Sequence, residues 1–108
     1  MDETKVKELG ESLEGIASAA IQEAKEKGNV TREALEPIHR EKVVGLIRDS
    51  DINVKPWRVD CYLGHIYDAL PSMLSEEDMQ KIMENAGLYK TYLLVGMVPR
   101  PKPHYAES

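Results

Sequence analysis

Between Asp2 and Lys27, apolar side chains recur at Val6, Leu9, Leu13, Ile16 and Ala20 in alternating steps of three and four, and Ala17, Ile21 and Ala24 broaden the same stripe. A period near 3.6 gathers these residues on one side of an α-helix and leaves Lys, Glu and Ser for the other, so the segment predicts a long amphipathic helix. A helix of this kind is held mainly by what covers its apolar face, so the rest of the chain must supply covering elements. Gly28 provides a left-handed C-terminal cap, and Asn29-Val30 make the turn.

The covering elements read as further helices. Thr31 is a good N-cap, but Pro37 lies inside the helical pattern that follows. A proline there removes one hydrogen bond and clashes with the preceding turn, which predicts a break near Glu36 and a main helix from Pro37 to Asp49 that buries Ile38, Val43, Leu46 and Ile47. Asp51 to Pro56 mixes turn formers with a proline and reads as a connector. Pro56 or Trp57 opens a third helix, whose apolar side is Val59, Tyr62, Leu63, Ile66, Ala69 and Leu70 and which Pro71 ends. Ser75-Glu76-Glu77-Asp78 resembles a capping box and introduces Met79, Ile82, Met83 and Ala86 on one face, with Gly87 closing that helix. Residues 88–98 fit helical spacing (Tyr89, Tyr92, Leu93, Gly96, Met97), while Tyr92 to Val98 is also a short apolar run that fits a strand, and helix is the expectation because no second strand is evident. The expected fold is therefore all-α: one domain of four to five helices over residues 1–98, with a Pro-rich extended tail at 99–108.

With 108 residues, the chain is long enough to bury about two-thirds of its unfolded surface, so stability requires no cofactor and none is expected. A single cysteine, Cys61, excludes an internal disulfide framework and a multi-cysteine zinc site. No apolar run approaches the ~18 residues needed to cross a bilayer, and MDETKVKELG is too acidic and polar for a secretory core; the expected location is the cytoplasm, away from membranes. Nineteen acids against fourteen bases give a net charge of −5. That balance disfavours nonspecific binding to phosphate backbones. The excess is uneven: residues 1–28 carry −3, residues 29–58 +1, residues 59–87 −5 and residues 88–108 +2. The mildly basic centre (Arg32, His39, Arg40, Lys42, Arg48, Lys55, Arg58) reads most simply as a solvated helix face.

Chemistry-bearing residues converge once, at Arg58, Cys61, His65 and Asp68, spaced three, four and three apart and so on one stripe of the third helix. Cys61 and His65 have the reach to ligate a metal with Asp68, but nothing completes a tetrahedral set, and no metal is expected. A Cys61 nucleophile supported by His65 would need an orienting partner and an oxyanion site that the sequence does not display. Arg58, six intervening residues and then His65-Ile66-Tyr67 resemble the Arg-x(4–6)-His signature, sometimes extended to His-x-Tyr, of the HEPN superfamily of small helical nucleases. That resemblance implies a helical dimer in which Arg58 holds the scissile phosphate, His65 acts in RNA cleavage and Tyr67 supports the site. The plain alternative is that Cys61 and His65 are partly buried helix residues, with Arg58 and Asp68 solvated.

Residues 82–93 resemble the helix, Ala-Gly turn and recognition-helix entry of tetracycline-repressor-type helix-turn-helix proteins. The resemblance implies that Gly87 makes the turn and that Tyr89, Lys90, Thr91 and Tyr92 face the groove. The acids of the preceding helix oppose that reading. A third lead is a protein-binding surface. The chain has no Phe, five Tyr and one Trp, with Met at 73, 79, 83 and 97, and Tyr, Trp and Met are enriched where proteins meet. The expected function is thus a noncatalytic interaction or assembly module, a protein partner or a second copy being bound through Tyr89, Tyr92, Leu93 and Met97 and one face of the first helix. The alternative is action on nucleic acid, either as a helix-turn-helix binder at 82–93 (Lys90, Thr91) or as an HEPN-like RNase (Arg58, His65, Tyr67).

Overall fold

The computed structural model describes residues 3–50, 52–94 and 98–99. Among them the order of elements is α1 (Glu3–Glu26), α2 (Arg32–Asp49), β1 (Ile52–Asn53), α3 (Pro56–Tyr67), α4 (Glu76–Leu88), α5 (Lys90–Leu94) and β2 (Val98–Pro99). The fold is all-α, with five helices and one two-residue strand pairing among the described residues. Met97 and most of the expected tail, residues 100–108, lie outside those residues.

α1 is the scaffold. Leu9, Leu13, Ala17, Ala20, Ile21 and Ala24 form its buried line, and Ile16 packs at the edge. The helix stops as its sequence predicts. Gly28 takes φ 72, its N–H donates to the Lys25 carbonyl at 3.0 Å, and the Asn29 N–H donates to Ala24 at 3.1 Å. This pair of reversed bonds satisfies two carbonyls that the helix end would otherwise leave bare.

The break expected at Glu36 does not occur: α2 runs from Arg32 through Pro37 to Asp49. The turn before the proline is anchored by contacts outside the helix. Thr31 Oγ1 accepts from the Ala34 N–H, the Arg32 N–H donates to the Ser72 carbonyl at 2.7 Å, and the Arg32 guanidinium donates to the Leu70 carbonyl at 2.8 Å. Leu35 and His39 are buried on either side of Pro37, whose ring faces solvent. Only the bond to the Glu33 carbonyl is forfeited, and packing outweighs it. The buried face differs as well. It follows Leu35, His39 and Val43 at steps of four, while Ile38, Leu46 and Ile47 pack at its margin.

α3 opens on Pro56 as expected but ends at Tyr67, with Asp68 as its C-cap. Leu70, restricted by the proline after it, closes a tight turn onto the Tyr67 carbonyl instead. Ala69 is therefore exposed, and Tyr67 takes the buried position. α4 has the reciprocal Ser75/Asp78 capping box. It continues past Gly87 to Leu88, so Gly87 does not close it. Gly87 serves proximity: a Cβ there would come within 2.8 Å of the Glu14 carboxylate, so the missing side chain lets α1 and α4 lie close. Lys25 pairs with Glu76 at the other end, which makes the two helices antiparallel.

Within 88–98 the described residues are helical over Lys90–Leu94, as expected, and Tyr92 to Leu94 do not form the alternative strand; a strand begins only at Val98. Lys90–Leu94 is a five-residue helix with Leu93 and Leu94 buried against the bundle, and Val98–Pro99 is a strand. Its partner is the connector: Ile52 pairs with Pro99 and Asn53 with Val98, antiparallel. Ile52 is buried, which anchors the pairing in the core.

Candidate functional site on the outer face of α3

Burial of Val59, Tyr62, Leu63 and Ile66 fixes the roll of α3 and turns Arg58, Cys61 and His65 outward. The His65 imidazole stacks on the Tyr92 ring, with centroids 4.0 Å apart and planes 22° apart, and Tyr89 lies 5.4 Å away. Nδ1 of His65 sits 2.8 Å from the Cys61 carbonyl and 3.7 Å from Sγ. A carbonyl can only accept, so Nδ1 carries a proton. Nδ1 is therefore no base for the Cys61 thiol, and Nε2 is the ring atom left for proton transfer.

Arg58, also on α3, meets Tyr92 as well. Its Nη1 donates to the Tyr92 carbonyl at 3.4 Å, and its guanidinium carbon lies 4.9 Å from the Trp57 ring centroid. Arg58 and His65 are thus joined through Tyr92, one at its backbone and the other at its ring. Asp68, in the C-cap, leans over Gly64, where a Cβ would lie 3.1 Å from its carboxylate. A hollow of about 320 Å³ lies between Asp60, Cys61, Gly64, His65 and Asp68. Among the described residues no three His, Cys, Asp or Glu side chains are grouped to hold a metal ion.

Tyr67 is on the opposite side. It is buried, and its hydroxyl lies 2.6 Å from Nδ1 of His39, so it cannot support chemistry at the exposed face. Burial holds the Tyr67 and Tyr62 phenols well above the usual tyrosine range and pushes His39 down to about 4. Between α2 and α3 runs an adjoining polar cleft of about 470 Å³, which shares Asp60, Gly64 and Asp68 with that hollow and is lined also by Arg32, Glu36 and Arg40 among others. Arg40 closes it by bonding both Glu36 and Asp60, and Asp60 in turn raises the Arg40 pKa.

No known family, curated protein or solved structure matches this chain.

The interaction residues expected from the sequence separate. Tyr92 is 42% exposed and Tyr89 half-buried, whereas Leu93 is fully buried and holds α5 to the bundle rather than facing outward. Met97 lies outside the described residues. Of the groove-facing residues implied by the helix-turn-helix resemblance, Thr91 is exposed, while the Lys90 stem lies across Gly10 of α1. The Ala86-Gly87 pair is helical, so the expected turn falls later, at Tyr89, and leads into only five helical residues. Sequence reading missed the core role of His39. Its spacing of four from both Leu35 and Val43 was the available signal.

Proposed function

We propose that the protein is a noncatalytic, cytosolic interaction module that self-associates through the corner where α4 meets α5. Leu88 and Tyr92 carry this reading. They are four residues apart across the corner and are 66% and 42% exposed. Exposed apolar and aromatic side chains grouped in this way mark contact surfaces more often than solvated ones. The half-buried lone Cys61 is compatible with a reducing compartment. The His65 stack and the Arg58 bond to Tyr92 act as supports for this corner, fixing α5 against α3.

Sedimentation velocity over a range of concentrations tests the reading. The parent should approach twice its 12.2 kDa mass, and Tyr92→Ala with Leu88→Ser should return it to the monomer. A parent that stays monomeric throughout overturns self-association.

A second reading, RNA cleavage, is favoured by one observation: Arg58 and His65 meet at a single residue, Tyr92, and Nε2 of His65 is left for proton transfer. Unstructured RNA incubated with the parent and with His65→Ala, without added metal, separates the two. The module leaves RNA intact in both tubes; cleavage by the parent alone would replace it with the nuclease.

A further inference from the structure

We infer that the self-association surface continues from the α4–α5 corner onto the start of α3, with Trp57 as its anchor and a second copy of the chain, turned end for end, as its occupant. The inference rests on the self-association reading and adds to it the reach and the orientation of the contact. Trp57 is 58% exposed, and the Arg58 guanidinium carbon lies 4.9 Å from its ring centroid. The same guanidinium donates to the Tyr92 carbonyl at 3.4 Å, so Arg58 ties Trp57 to the corner. Trp, Tyr and Arg, here joined at 57, 92 and 58, are the residue types that most often dominate protein contacts.

Area requires the extension. A stable contact covers about 800 Å² of each partner. A whole aromatic side chain offers roughly 150–250 Å², and Leu88 and Tyr92 are both partly covered by their own chain. Together they fall well short, and Trp57 is the exposed apolar side chain that Arg58 links to them.

Charge sets the occupant. Lys55 and Arg58 flank Trp57 at the start of α3, and Asp60, the next acid on that helix, is held by Arg40. At the other end of the surface the exposed Glu84 lies one turn before Leu88 on α4. Among the described residues none of Lys55, Arg58 and Glu84 has an opposite charge within ion-pair distance. The surface therefore runs from cationic to anionic through an apolar middle, and such a surface is its own complement when reversed. A two-fold axis near Tyr92 lays Lys55 and Arg58 of one copy against Glu84 of the other, with Trp57 against Leu88.

Trp57 is the single tryptophan, so its emission reports on this contact alone. As the parent is concentrated, that emission should shift to the blue in step with the rise in mass seen by sedimentation. Trp57→Ser should weaken the dimer about tenfold or more; the ring is largely in solvent, and circular dichroism checks that the variant folds. Lys55→Glu and Glu84→Lys should each weaken it as well, and the double variant should recover the parent's affinity, because a two-fold contact sets the exchanged charges against each other again. Arg58 stays unchanged in these variants, since it holds Tyr92. A dimer whose Trp57 emission ignores concentration and whose mass curve ignores Trp57→Ser overturns the extension and leaves the corner contact standing. A double variant no tighter than the single ones overturns the reversed arrangement. A parent that is monomeric at every concentration removes both this inference and the self-association reading beneath it.

Discussion

Inside the core, the Tyr67 hydroxyl and Nδ1 of His39 lie 2.6 Å apart, and Nε2 of His39 has no partner among the described residues. With the phenol held protonated by burial, its O–H donates to Nδ1 and one group, Nε2–H, stays unsatisfied. The reverse assignment would strand both the Tyr67 proton and the Nε2 lone pair. An unpaired buried group costs about 1–3 kcal/mol, which the surrounding T-shaped contacts of His39 with Tyr62 and Tyr67 help to offset.

Because burial lowers His39 from 6.5 to about 4, the unfolded chain takes up a proton between those values that the folded chain does not. Stability should therefore be complete above the unfolded value and decline as pH falls through the window toward the folded one, by at most roughly 3 kcal/mol. Urea midpoints measured from neutral pH down to the lower limit of that window should drop for the parent and stay flatter for His39→Gln. An unchanged parent midpoint would show that His39 does not resist protonation.

Tyr62 donates its hydroxyl to the Ala86 carbonyl at 2.7 Å, in the last turn of α4, where the helix supplies no acceptor's partner of its own. Tyr62→Phe keeps the ring in the core and leaves that carbonyl bare. Chemical denaturation should register a loss of about 1–3 kcal/mol without loss of helical signal.

Pro37 sits in α2 with its ring in solvent and its helix already anchored on both sides. Pro37→Ala restores the bond to the Glu33 carbonyl, and the loss of the proline's restriction on the unfolded chain takes back ~0.4–1 kcal/mol. A net gain of about 1–2 kcal/mol is expected. A lower melting temperature in the alanine variant would show that α2 depends on the proline geometry.

Most of the architecture was legible because it is written in local signals. The stripe of α1, the Gly28 cap, Thr31, Pro56 and the Ser75/Asp78 box each act within a turn or two of chain. What escaped depends on distant residues. Pro37 reads as a breaker until the bonds from Arg32 to Leu70 and Ser72 are known, and Gly87 reads as a stop until Glu14 is seen beside it. The Ile52–Pro99 pairing joins two short segments, neither of which carries a strand pattern of useful length. At the candidate site, helical spacing put Arg58, Cys61 and His65 on one stripe of α3 away from its buried face. It could not show that Tyr67 turns inward, because that follows from α3 ending at Tyr67 and from His39 waiting in α2.

The antiparallel seating of α4 on α1 sets the order in which the chain can assemble. α1 and α2 are joined by a short turn, so their hairpin closes at little entropic cost. The Lys25–Glu76 and Glu14–Gly87 contacts must draw together segments separated by all of α2 and α3. Loop closure on that scale is the slow event, and the small residues along α1 and at Gly87 reward it only once the two helices are in close register. Changes in the α1–α2 turn should therefore act mainly on how fast the molecule forms, and changes along the α1–α4 seam on how fast it comes apart.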